Sequence, residues 1–123
     1  MYRQYVLSCI ITGSDVELGW RRNLWENFYP RIRQQNTTHE AAKVVVQFLR
    51  QRVTIAPDAV AKPGVETMWN SQIVNRADFE ILYVATLRSV GVPARLNSSS
   101  KKAEFWNGRN WETAPQLTMT TLE

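Results

Sequence analysis

The single cysteine and the single histidine of this chain are its best candidates for nucleophilic chemistry. Cys9 supplies a thiol and His39 an imidazole, which act as nucleophile and general base where they meet in space. Cys9 lies in the apolar run YVLSCII, where an unpaired cysteine usually packs as a small, inert residue. His39 falls in the first turn of a predicted helix, where an exposed polar residue is expected. A dyad of the two stays open, but they are too few ligands for a metal site.

Two carboxylates, Asp78 and Glu80, lie at the start of another predicted helix. Acid–base catalysis by a carboxylate pair needs both groups to face one cleft. Residues two apart on a helix point in different directions. We therefore interpret the pair as negative charge that interacts with the exposed amides at the helix N-terminus.

Tryptophan is abundant, with five residues in 123, and an indole ring either fills a core or stacks on a ligand. Trp20 falls on an apolar helical stripe and is predicted to be buried. Trp106 and Trp111 flank Asn107-Gly108, a strong hairpin signal, so they are placed to pair across two strands. The same two rings could instead line a groove for a sugar ring or an extended peptide, and both alternatives stay open.

The composition fits one folded domain. Hydrophobic residues make up 44% and charged residues 21% of the chain, which is ordinary for a domain with one core. The formal net charge of +4 comes from scattered basic residues, so we predict no nucleic-acid partner. No apolar run approaches the roughly 20 residues that span a bilayer, so we predict no membrane insertion. One cysteine excludes an internal disulfide framework.

The positioning elements are predicted to be three helices, with a further short helix before the last of them, followed by a small sheet. The first helix runs from Asp15 to Pro30, which ends it. The second begins at a capping box formed by Thr37 and Glu40, and a short helix is predicted in VETMWNSQI after the loop at 56–64.

The last predicted helix, from Asp78 to Val90, is apolar around much of its circumference, which indicates a central helix packed on several sides. Gly91 and Pro93 are typical of residues just past a helix end. The segment ARLN then predicts a strand, and KAEFWNGRNWET predicts a hairpin.

The segment LYVATLRSVGVPARL resembles the core of the transglutaminase-like superfamily, where a buried helix runs into a Gly-Ile-Pro-Ala-Arg-type segment. The matching positions are Leu87, Arg88, Gly91, Pro93, Ala94 and Arg95. AEFWNGRNWET resembles the hairpin that follows it in that family. AKPGVETMWNSQIVNRADFEILYVA is similar to versions of the domain in large secreted or surface proteins of gut Bacteroidetes. The resemblance covers residues 60–114 and is weaker over 5–55.

The family's chemistry resembles that of papain-like enzymes, with a cysteine at the start of the central helix and a histidine and an aspartate on later strands. The resemblance puts the cysteine position at Arg76, within one residue, the histidine position near residues 100–102 and the aspartate position near 113–115. None of these carries the required residue, although Glu112 lies one residue away. Arginine stays charged and neither attacks a carbonyl nor accepts a proton. The resemblance therefore implies a domain without its triad, with no catalytic residue and no cofactor.

We therefore predict an α+β, transglutaminase-like/cysteine-protease-like fold, with N-terminal helices and a central buried helix packed on a small C-terminal antiparallel sheet. Residues 1–121 form a single domain excised from a larger protein, and we interpret Leu122-Glu123 as a cloning remnant. The predicted function is that of a non-catalytic module of an exported bacterial protein in the periplasm, on the cell surface or secreted. Its role is peptide or glycan binding, or architecture beside the parent protein's other domains.

The predicted ligand surface is the vestigial cleft around Arg76, Trp69, Trp106 and Trp111. A cation at its floor would hold a carboxylate or a phosphate, unless Arg76 forms a buried pair with one of the neighbouring carboxylates. A cleft filled by Trp69 would leave only an architectural role. The alternative function is a cysteine-dependent amide-bond enzyme, of protease or transglutaminase type, with Cys9 as a relocated nucleophile.

Overall fold

Helices come first and an antiparallel sheet last in the computed structural model, which describes residues 20–33, 37–62 and 64–116. The helices are α1 (Trp20–Ile32), α2 (Thr38–Arg52), α3 (Val65–Ser71) and α4 (Arg76–Ser89). The strands are β1 (Thr54–Ile55), β2 (Ile73–Val74), β3 (Ala94–Leu96), β4 (Ala103–Trp106) and β5 (Trp111–Thr113). The predicted α+β class is confirmed. The run around Cys9, the predicted helix start at Asp15 and the side chain of Trp20 lie outside the description.

Helix α4 is the centre of the fold, as the sequence predicts. It contacts the other three helices as well as β3 and β4, because apolar side chains such as Leu82, Val84 and Leu87 are buried on several sides of it. Gly91 follows its end with a φ of 90°, a left-handed conformation that glycine adopts without steric penalty. None of the described helices is long and apolar enough to cross a bilayer.

The start of α4 differs from the prediction. Asn75 is the N-cap, and its side-chain oxygen accepts a hydrogen bond from the backbone N–H of Asp78 at 2.7 Å. The two carboxylates bind elsewhere: Asp78 accepts from the backbone N–H of Lys62, and Glu80 from that of Ala103, each at 2.8 Å. They fasten α4 to the preceding loop and to β4, so neither of them is the side chain that caps the helix, although Asp78 lies in the first turn as predicted.

Helix α2 follows the sequence closely. The Thr37 hydroxyl accepts from the backbone N–H of Glu40 at 3.1 Å, which confirms the predicted N-cap. Val44 is partly buried, and six other apolar residues of the helix are buried in the core: Ala41, Ala42, Val45, Val46, Phe48 and Leu49.

Helix α1 continues through the proline that was expected to end it. Pro30 lies inside the helix, and the backbone N–H of Arg33 still bonds the carbonyl of Tyr29 at 3.0 Å. A proline this close to the C-terminus of a helix removes one hydrogen bond while the following turn can still close. Burial of Ile32 against the core favours that last turn.

Two sheets complete the fold. Strands β3, β4 and β5 form the predicted antiparallel sheet, in which Trp106 lies opposite Trp111. A four-residue loop, Asn107–Asn110, joins β4 to β5, and the Asn107 side chain accepts from two backbone N–H groups within it. The second sheet, a parallel pair of β1 and β2, was not predicted.

Candidate functional site

The two faces of the β3–β4–β5 sheet differ in what they meet. Side chains alternate between faces along a strand, so Phe105 and Ala103 point towards the helices and are fully buried. The opposite side, here named the outer face, carries Arg95, Glu104, Trp106 and Trp111. Trp106 and Trp111 are each partly exposed on it. The outer face therefore combines aromatic surface with charged groups.

The two indole rings of the outer face form an edge-to-face pair. Their centroids are 5.6 Å apart and their planes meet at 70°, and such a cross-strand contact contributes about 0.5–1.5 kcal/mol beyond the area it buries. The guanidinium carbon of Arg95 lies 4.0 Å from the ring centroid of Trp111. That distance is well inside the range of a cation–π interaction.

Arg95 is itself held in place by a carboxylate. Its Nε donates to Glu104 Oε1 at 2.9 Å, and Asn97 Nδ2 donates to Glu104 Oε2 at 2.8 Å. Both oxygens of Glu104 are thus bonded, and the carboxylate is screened from water by its neighbours. This chain of contacts orients the guanidinium over Trp111.

Trp69, the third predicted ligand residue with an indole ring, lies in the core. It is 7% exposed, and its ring centroid lies 5.6 Å from that of Phe28 on α1. Arg52 covers it further, with the guanidinium carbon 5.5 Å from the Trp69 centroid. Trp69 thus fills the space between α1 and α3, and a ligand could reach only the edge of its ring.

Arg76 is exposed as the first residue of α4. It forms no ion pair with another described residue, so the alternative of a buried pair with Asp78 or Glu80 is wrong. Of the four predicted ligand residues, the structure brings Trp106 and Trp111 into contact and places Trp69 in a separate cluster.

The positions that the resemblance assigns to the cysteine, histidine and aspartate of a catalytic triad are occupied by other residue types. The N-terminus of α4 presents Asn75, Arg76 and Ala77, which have neither thiol nor hydroxyl groups. The segment before β4 has serine and lysine instead of histidine. Within the described residues, no group of three or more histidine, cysteine or carboxylate side chains is arranged to hold a metal ion.

An unpredicted pair joins the only histidine to the sheet. His39 Nδ1 lies 3.0 Å from Glu112 Oε2, and Asn107 Nδ2 donates to Glu112 Oε1 at 2.9 Å. The Asn107 hydrogen bond, and to a smaller extent His39, lower the pKa of the Glu112 carboxyl below its usual value. Because the carboxylate accepts, Nδ1 donates to it, and Nε2 is then an acceptor in the neutral ring and a donor in the protonated ring. Nothing local in the sequence links these residues, which lie 73 positions apart.

Comparison with protein-family models, with curated proteins and with solved structures finds no match to this chain. Function must therefore be argued from the geometry of the outer face and of the His39–Glu112 pair.

Proposed function

We propose that this chain is a non-catalytic, transglutaminase-like module of a larger exported bacterial protein, and that its outer face binds a glycan. The observation that carries the proposal is the partly exposed pair of Trp106 and Trp111, with centroids 5.6 Å apart on the sheet face opposite the fully buried Phe105. The resemblance of LYVATLRSVGVPARL to the transglutaminase-like core supports the family.

The chemistry of the outer face suits a sugar ring. The C–H groups on one side of a pyranose are apolar and pack on an indole, while its hydroxyl groups need hydrogen-bond partners. The Arg95 guanidinium over Trp111 supplies donors, and the exposed residues Asn107 and Arg109 lie in the loop that joins the two strands. The apolar side of the sugar thus packs on the indole rings, and its hydroxyl groups hydrogen-bond to polar side chains.

The absence of a triad from the expected positions supports the non-catalytic role. A guanidinium at residue 76 cannot act as nucleophile, and the segment before β4 supplies no imidazole base. The outer face has no group poised for acid–base work either, since both Glu104 oxygens already accept hydrogen bonds.

An amide NMR titration with mixed oligosaccharides tests this proposal. We expect saturable shifts at the indole N–H groups of Trp106 and Trp111, and their loss in a Trp106→Ala variant. Trp25→Ala is the matched control, because Trp25 is 46% exposed on α1 and lies off the sheet. Unchanged spectra, or shifts that disappear in Trp25→Ala instead, would overturn the proposal. If a short peptide rather than an oligosaccharide shifts the same indole signals, the ligand is a peptide and the glycan assignment is wrong.

The His39–Glu112 pair favours a second candidate, a cysteine-dependent amide-bond enzyme with Cys9 as nucleophile. A histidine whose Nδ1–H is held by a carboxylate presents Nε2 as a general base. The test is the alkylation rate of Cys9 between about pH 5 and pH 9. An activated thiolate reacts faster than free cysteine at low pH and loses that advantage in His39→Gln. A rate like that of free cysteine excludes this candidate.

A further inference from the structure

A groove between α1 and α2 lies apart from the outer face and has its own chemistry. Its volume is about 440 Å³, within the range of pockets that hold small ligands or peptide side chains. The residues that line it, here named the α1–α2 groove, are Pro30, Arg31, Val44, Gln47, Phe48 and Gln51. No carboxylate is among them, so the groove is apolar at its floor and basic or neutral at its rim.

Two guanidinium groups gather around the aromatic floor. The Arg31 guanidinium carbon lies 3.7 Å from the ring centroid of Phe48, and that of Arg52 lies 5.6 Å from it. The two cations are thus within about 9 Å of each other. This separation is roughly one Debye length at moderate salt, so their repulsion is only partly screened. Neither forms an ion pair with a described carboxylate. An anion bound between them would relieve that repulsion.

Two glutamine amides line the same groove one helical turn apart. Gln47 and Gln51 are exposed, and neither side chain hydrogen-bonds to another described residue. Four residues of helix rise about 6 Å, which is close to the roughly 6.6 Å repeat of every second residue in an extended peptide. Each amide has donors and an acceptor. Gln47 and Gln51 can therefore each hydrogen-bond one of two peptide groups that lie two residues apart and point to the same side of an extended peptide.

We propose that the α1–α2 groove binds an extended peptide segment that carries an acidic side chain. The carboxylate lies between Arg31 and Arg52, where charge-assisted hydrogen bonds are available. Gln47 and Gln51 bond the peptide backbone, and an apolar peptide side chain packs against Val44, which is only partly buried in the groove lining. The amides favour a peptide over a nucleic-acid backbone, because each amide pairs a donor and an acceptor with the donor and acceptor of a peptide group, whereas a phosphodiester offers acceptors only.

Fluorescence anisotropy with a labelled peptide of alternating valine and glutamate tests the proposal on the full chain. We expect saturable binding that weakens with salt, and that falls about tenfold or more in Arg31→Gln because a charged contact is lost. Lys102→Gln is the matched control: it removes one charge from an exposed side chain in the segment before β4, outside the two helices that form the groove, and we expect less than a twofold change.

A second variant separates the backbone contacts from the charge. Gln47→Ala with Gln51→Ala should weaken the peptide severalfold without changing the salt dependence, and circular dichroism verifies that each variant folds. The valine–glutamine analogue of the peptide should bind at least tenfold more weakly. Equal affinity for that analogue, equal loss in Lys102→Gln, or tighter binding of a single-stranded oligonucleotide of the same charge would overturn the proposal.

Discussion

Replacing Tyr83 with phenylalanine removes one buried hydroxyl from the central helix and leaves the ring in place. That hydroxyl lies 2.7 Å from the carbonyl oxygen of Pro115 and 3.1 Å from that of Ala42, and Tyr83 has no exposed surface. It has one proton to donate, and the nearer acceptor is Pro115. The variant loses that hydrogen bond and leaves a carbonyl without its partner, so we expect the free energy of unfolding to fall by about 1–2 kcal/mol at pH 7.

The same substitution should change the dependence of stability on pH. Burial, and then the charge of Glu80, raise the pKa of the Tyr83 hydroxyl far above its ordinary value of 10.0. The unfolded chain releases this proton near pH 10 while the folded chain keeps it. The contribution of Tyr83 is therefore fully present below that pH and is lost above it, by about 1.4 kcal/mol per pH unit. The advantage of the unaltered protein should thus vanish near about pH 11.

Urea denaturation followed by tryptophan fluorescence measures both effects. Tyr29→Phe is the matched control, because it makes the same chemical change on a side chain that is 37% exposed. We expect that control to stay within about 0.5 kcal/mol of the unaltered protein at pH 7. Equal stability of the two variants at pH 7, or a Tyr83→Phe difference that does not shrink towards pH 11, would refute the reasoning.

Three further substitutions test local features. Gly91→Ala places a Cβ in open space at a φ of 90°, so its loss of about 1 kcal/mol is purely conformational and should appear as a lower melting temperature. Asn75→Ala removes the cap of α4 and should lower the urea midpoint by an amount equivalent to about 1 kcal/mol, and Asn75→Asp should restore only part of it, because aspartate keeps the acceptor for Asp78 but loses the donor to the carbonyl of Ala59. Glu112→Gln tests the lowered pKa of this carboxyl, caused by Asn107 and then His39. The contribution of Glu112 is present above pH 4.5 and is lost as pH falls through the folded-state pKa, so melting curves of the variant should change less over that range.

Features that depend on a few neighbouring residues could be predicted from the sequence. The cap at Thr37, the end of α4 at Gly91 and the hairpin around Asn107 each rest on contacts within a few positions, and each is found in the structure. The central position of α4 also followed from sequence, because apolar side chains around a helix need partners on every side.

Features that depend on distant residues could not be predicted in the same way. Strands β1 and β2 have two residues each, too few to show alternation, and their pairing exists only because α3 brings the chain back. Glu80 looked like a helix-terminal charge until its partner, 23 positions later, was known. Trp69 gave no local sign of burial, since the ring that covers it belongs to α1. Of the four residues predicted for the candidate site, Trp106 and Trp111 are found together, with Arg95 beside them.

Polar links to buried helices explain why the outer face can present a fixed surface. Glu80 on α4 accepts from the first N–H of β4, His39 on α2 meets Glu112 on β5, and Tyr83 on α4 bonds the carbonyl of Pro115 just beyond it. The two tryptophans are therefore already positioned before a ligand arrives, and less conformational entropy is lost on binding. On the glycan-binding proposal, a substitution of Glu80 that loosens β4 should lower the affinity for the sugar without removing any group that contacts it, whereas Trp106→Ala removes the contact itself and leaves these links in place.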